Sequence, residues 1–372
     1  MSAVLWPLCC VCVGVAVFRR VMAAGGSSAG PIFDEAAVTT IGVFGSGAVG
    51  LRVARHLAWS GIADRLVIGC RRPARLKGVV EQFDLDVQVV EPGPMPLVDV
   101  AILCLPSGGH AGLAEEAVAR GAHVVSVSDS IADIDALLAL DAVAVKAGRS
   151  IAVGAAYSPG LSCLLAKHVG SLFDVVEEIH VARSGTGGPA CARQLHRART
   201  GSSLDWWDGD WRRRAGGSGR ELVWFPDPLG ALDCYRGALP DARLLAPEFP
   251  GVDRVTARIA GTRRDRLTAM LPMMRPPHAD GGPGGIRVEV RGRRGLTRRT
   301  EVLGVLDDPS AASAAVAAVT AERLAMGSQP AGAWGLARVE DTVPWLSALA
   351  LRGVRAAAYE GVDQGVPAIS PG

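Results

Sequence analysis

The chain has 372 residues, 20% of them charged, and a net charge of +2 at pH 7. That length allows two domains with separate cores, and so even a charge balance gives no case for nucleic acid or an acidic membrane surface as partner. The basic side is nearly all arginine, with Lys77, Lys146 and Lys167 as the only lysines, which argues against lysine-based catalysis.

The first segment is apolar. Residues 3–18, "AVLWPLCCVCVGVAVF", are fewer than the roughly 20 needed to span a bilayer, and Arg19 and Arg20 follow the run where a secretory signal would carry its charge ahead of it. Residues 1–37 are therefore expected to be a dispensable leader, with Met22 as a candidate initiator. Membrane contact is expected only if the leader is retained, and a signal-anchor is the alternative reading. The eight cysteines, at 9, 10, 12, 70, 104, 163, 191 and 234, show no paired CxxC spacing. Neither a metal site nor a disulfide framework is signalled, and scattered thiols suit the reducing cytoplasm.

From residue 38 strands and helices alternate. "VTTIGVF" (38–44), "RLVIGC" (65–70), "VQVVE" (87–91), "VDVAILCLP" (98–106), "AHVVSVS" (122–128) and "SIAVGAAY" (150–157) are apolar runs, and residues 48–59 and 110–121 have helical spacing. This alternation predicts an α/β fold, a Rossmann-type doubly wound parallel sheet over residues 38–156. Beyond it, a helix at 161–173 and half-polar alternating strands at 176–183, 253–261 and 285–293 predict an α+β domain with a mixed or antiparallel sheet over 157–340. Residues 199–220, rich in Gly, Arg and Trp without a period, and residues 273–285 read as loops. Trp206, Trp207 and Trp211 in the first of these could form a lid or fold back on the domain. Helices at 310–325 and 343–353 close the pattern, with 341–372 expected to pack back on the first domain.

"GSGAVG" (45–50) is a GxGxxG between a predicted strand and helix. In that context Gly45 permits the turn, Gly47 admits a pyrophosphate and Gly50 lets the helix approach the strand. The amides of Gly45, Ser46, Gly47, Ala48, Val49 and Gly50 would face the phosphates at the helix N-terminus. An NAD site would place an acid after the second strand; this chain has Cys70, Arg71 and Arg72. Guanidiniums pair with a 2′-phosphate, so NADP is the expected cofactor. Pro106, Ser107, Ser128 and Asp129 follow later strands and belong near the ribose and nicotinamide by position.

Together with "CRR", "DVAILCLPSGGH", "AAYSPGLSCLLAKH" and "VEEIHVARSGTGGPACARQLHRA", the glycine motif resembles the saccharopine dehydrogenase-like family of NAD(P)-binding oxidoreductases over residues 40–361. The resemblance implies a Rossmann domain followed by an α+β domain carrying the substrate pocket, with the Pro159–Ser162 turn, including Gly160, under the nicotinamide. A full set of amino-acid-substrate ligands is not matched in the second domain. The acidic-Lys-Pro turn of the related sugar-oxidising family is absent after "VVSVSD".

Hydride transfer to a carbonyl or imine needs a nearby proton donor. His196 has a suitable ordinary pKa, and Asp129 and Tyr157 lie at the domain junction. "SGTGGPACARQLHRA" (184–198) could be a phosphate cradle, a thiol site or a metal site; it reads best as a strand-to-helix turn walling the substrate pocket, with Thr186, Gly187 and Arg193 as substrate contacts. Cys191 as a nucleophile lacks a visible base. The expected function is an NADP-dependent oxidoreductase of a small carbonyl, imine or amino-acid-like substrate, without metal or nucleic acid and with a homodimer left open. A homoserine or diaminopimelate dehydrogenase-like enzyme and a non-catalytic NADP-binding sensor or partner-binding protein are the alternatives.

Overall fold

The computed structural model describes residues 38–273 and 276–359, so the expectations for the leader and for the last 13 residues lie outside the described residues. The first sheet collects β1 (Thr40–Phe44), β2 (Arg65–Gly69), β3 (Asp86–Val90), β4 (Val100–Leu103), β5 (His123–Ser126) and β6 (Ser150–Val153). Helices α1 (Ala48–Ser60), α2 (Lys77–Val80), α3 (His110–Ala119), α4 (Ile131–Leu138) and α5 (Asp141–Ala147) connect them. The spatial order is β3-β2-β1-β4-β5-β6, all parallel, with one further strand beyond β6. β4 shows why these runs are apolar throughout: every residue of "VAIL" is buried, as a parallel strand covered on both faces requires. α1 turns Val53, Ala54 and Leu57 onto the sheet and stops at Gly61, whose φ of 66° suits a residue without Cβ.

The second half contains α6 (Leu161–Gly170), β7 (Val175–Arg183), α7 (Pro189–Ala198), β8 (Ser203–Trp207), β9 (Asp210–Arg214), β10 (Glu221–Trp224), β11 (Ala231–Arg236), α8 (Asp241–Leu245), β12 (Arg254–Ala260), α9 (Arg263–Thr268), β13 (Gly284–Arg294), β14 (Thr297–Asp307), α10 (Pro309–Ala325), β15 (Gly332–Gly335), α11 (Val343–Leu351) and β16 (Ala356–Tyr359). A mixed sheet runs β10-β11-β12-β7-β13-β14-β16, with β7 and β12 parallel and β8 and β9 branching from β12. Alternation puts Ile179, Val181, Val255, Ala257, Ile286 and Val288 in the core; each valine and isoleucine contributes about 1.5–3 kcal/mol by leaving water. On the opposite face charges ladder across strands: Arg291 bonds Glu289 at 2.6 Å and Glu178 at 3.1 Å, and His180 meets Glu178 at 2.9 Å.

Two expectations change. Residues 199–220 contain the β8–β9 hairpin, closed by Asp208 and Gly209, both with positive φ (49° and 81°), the conformation a two-residue primed turn needs. Its tryptophans fold back on the domain: Trp206 meets Trp211 edge-on at 5.0 Å and donates to the Val252 carbonyl, while Arg243 and Arg254 stack on Trp211 and Trp207. The return to the first sheet also begins before residue 341. α10 packs on α1, β4, β5 and α6, and β15 adds a seventh parallel strand beside β6; β16, further on, joins the second sheet beside β14. α10 is buried nearly all round, which its alanines and the capping carboxylate of Asp308 make possible. Among the described residues no helix is long and apolar enough to cross a membrane.

Candidate functional site

The glycine loop has the geometry a dinucleotide needs. Gly45 takes φ 119°, and a Cβ there would strike the Cys104 carbonyl; a Cβ on Gly50 would strike the Gly45 carbonyl. At Gly47 an added Cβ would meet nothing within 4 Å, so the backbone is open on that side. Ala48 begins α1, and the first turn carries no acid to compete with a phosphate. Beside it Ser46 donates to the buried Cys70 sulfur at 3.0 Å, and Arg71 and Arg72 at the end of β2 are exposed. These residues fit a nicotinamide dinucleotide.

The later strand ends are more occupied. Pro106 is exposed, but Ser107 donates to Gln194 Oε1 at 3.0 Å and accepts from Arg197, tying the loop after β4 to α7. Ser128 gives its hydroxyl to Asp133 at 2.6 Å. Pro159 and Gly160 are buried in the turn before α6, where Gly160 (φ 117°) lies against the Ala156 backbone. Across the cleft the Gly185–Gly188 turn reaches the cofactor loop: a Cβ on Gly188 would stand 3.3 Å from that of Ala48, and Gly187 lies against Ser310 at the start of α10. The Thr186 carbonyl is in contact with Gly281.

The centre of the site is a group that was only half anticipated. Arg183, the last residue of β7, is 1% exposed, and its Nη1 donates to the Ser158 carbonyl at 2.9 Å. It lies 3.7 Å from Asp129 Oδ2, 3.9 Å from the Cys191 sulfur and over the Tyr157 ring, and Cys191 points its thiol at Asp129 from 3.7 Å. Behind it, Asp241 accepts from both Ser158 and Ser162. Two buried polar atoms in this group, Arg183 Nε and Tyr157 Oη, have no hydrogen-bond partner. Orphans of that kind are costly and rare, and a polar ligand would satisfy them.

Burial sets the protonation states. It pushes the Asp129 carboxyl up against the pull of Arg183, and pushes the Cys191 thiol up with help from Asp129, against the pull of Arg183 and the Gly187 amide. Tyr157 is raised for the same reason. Burial opposes the charge of Arg183, but its pKa is raised on balance by the groups around it, and the guanidinium stays charged. The arrangement is one buried cation beside three groups that tend to keep their protons, surroundings that suit an anionic or strongly polarised oxygen.

His196 does not join this group. It lies further along α7, where its Nε2 is in hydrogen bond with the Leu271 carbonyl at 2.7 Å. Arg193 is exposed on the same helix. Arg183 was missed because a polar residue ending a strand resembles any strand terminus; its place just before a glycine-rich turn was the available signal. Among the described residues no group of three or more His, Cys, Asp or Glu is placed to hold a metal.

No family model matches this chain, and neither does any curated protein. Solved structures do. The apo saccharopine dehydrogenase (L-Glu forming) from Saccharomyces cerevisiae is similar with a TM-score of 0.66 at 14% identity, over 87% of this chain and 100% of that one. A mutant meso-dapdh with DAP from Clostridium tetani E88 gives a TM-score of 0.47 at 16% identity, over 83% and 95%.

Proposed function

With the fold of saccharopine dehydrogenase as premise, we propose that the protein is an NADP-dependent oxidoreductase that moves hydride between the nicotinamide and a small carbonyl, imine or amino-acid-like substrate. The observation that carries this reading is the buried Arg183–Asp129–Cys191–Tyr157 group with its two unpartnered polar atoms, set beyond the carboxyl ends of β5 and β6, where open parallel sheets bind their ligands. The dinucleotide, when bound, supplies or accepts the hydride.

The chain's own residues do the rest. The Gly45–Gly50 loop seats the pyrophosphate with the amides of Ser46, Gly47, Ala48 and Val49, Arg71 and Arg72 take the 2′-phosphate, and Pro106, Ser107, Ser128, Pro159 and Gly160 shape the nicotinamide end. Arg183 holds a substrate anion through its free Nε, and Thr186, Gly187 and Arg193 line the approach. Asp129, whose pKa burial raises, hands a proton from its carboxyl to the oxygen or nitrogen that is being reduced. His196, engaged by Leu271, positions α7.

Two experiments test this. Asp129→Asn should abolish turnover while NADPH still binds. The Arg71→Ala, Arg72→Ala double variant should lose its preference for NADPH over NADH, by about tenfold or more. NADPH binding without turnover on a broad panel of carbonyls, imines and amino acids would instead point to a dinucleotide sensor.

A further inference from the structure

We propose that the groove between α1, the start of α10 and the end of α11 binds a small dianion of the phosphate type, at a site separate from the cofactor and substrate pockets. The groove measures about 430 Å³ and is lined by Arg52, Arg55, His56, Asp307, Arg352 and Val354, among others. Three guanidiniums and an imidazole line it with one carboxylate, Asp307, whose pKa burial and the Asp308 charge raise against the hydrogen bond from the Asp308 amide.

The guanidiniums are not saturated. Arg55 is exposed and makes no ion pair or side-chain hydrogen bond among the described residues. Arg52 lies 3.8 Å from Asp280 and 3.7 Å from Asp308, too far for hydrogen bonds, and its one bond at 3.0 Å goes to the Ala48 carbonyl. Arg352 pairs with Glu322, yet its Nε has no partner although the side chain is only 6% exposed. An unpartnered N–H that deep, beside further guanidiniums, favours an oxyanion. His56 completes the ring: burial and the Arg352 charge press it down to about 4, so it faces the groove neutral and able to gain a proton when an anion arrives. The groove residues Arg52, Arg55 and His56 lie about one and a half to two and a half turns along α1 from Gly47, so the cofactor's pyrophosphate and this anion occupy different parts of the same helix.

The test follows His56 by NMR in the full chain with labelled histidine rings, the His56 signal being identified by its loss in His56→Gln. Inorganic phosphate should move that signal saturably and raise its titration midpoint from about 4 toward the ordinary histidine range. Arg55→Ala, at an exposed position, should leave the unfolding midpoint unchanged and weaken the phosphate response about tenfold, and Arg55→Lys should restore part of it. A His56 signal that ignores phosphate, or that moves equally in the wild type and Arg55→Ala, overturns the proposal. Neither outcome depends on turnover, so failure here is distinct from failure of the oxidoreductase reading.

Discussion

Single residues separate scaffolding from chemistry most clearly in the glycine loop. A methyl on Gly50 would collide with the Gly45 carbonyl, whereas one on Gly47 would meet nothing. Gly50→Ala is therefore expected to cost about 2 kcal/mol or more in urea unfolding. Gly47→Ala should leave stability unchanged yet weaken NADPH binding about tenfold or more, because its methyl occupies the space the pyrophosphate needs. Asp129 carries the pH dependence. Its pKa is raised in the fold, so the folded chain holds a proton that the unfolded chain releases. Its contribution to stability is present below the ordinary carboxylate pKa and is lost as pH rises through the folded value. Reductive kcat/KM should fall over that same alkaline side, as the donor loses its proton, and the limb should vanish from any residual activity of Asp129→Asn. The half-buried Asp129 was legible from its place after a strand, but its partner Arg183 was not: periodicity marks which face a residue occupies, and says nothing of a guanidinium turned inward at the end of a strand.

Among the elements, the β8–β9 hairpin shows why the second half was harder to read. The Asp-Gly pair at 208–209 is a strong turn signal, but the arginines and tryptophans on either side break the apolar-polar alternation that would have marked strands. Packing of Trp206 on Trp211, and of Arg243 and Arg254 over the indoles, supplies what alternation lacks. Trp211→Ala should therefore lower stability by about 2 kcal/mol in denaturant unfolding and leave KM for substrate unchanged, since the indole packs on Trp206 and Arg243. β14 was missed because its first half, "TRRTE", is polar and exposed, while the first-sheet strands, buried on both faces, were found within a few residues.

At the scale of the molecule, α10 belongs to neither sheet alone. It packs on α1, β4 and β5 of the first and on α6 of the second, so loss of either half strips its partner of a buried helix. The described chain is thus expected to unfold in one cooperative step, with far-UV circular dichroism and tryptophan fluorescence tracing the same midpoint; two separated transitions would show that the halves are independent. The first six strands were readable from alternation and the glycine motif, but β15 was not, since four residues of "GAWG" carry no period. That late strand also sets a timetable for folding on the ribosome. β6 ends at Val153 and its neighbour β15 begins at Gly332, so the free edge of β6 waits while residues 154–331 are synthesised, on the order of ten seconds or more at about 5–20 residues per second. Throughout that interval the nascent sheet offers an unpaired strand to any passing chain, and chaperone occupancy should be greatest there.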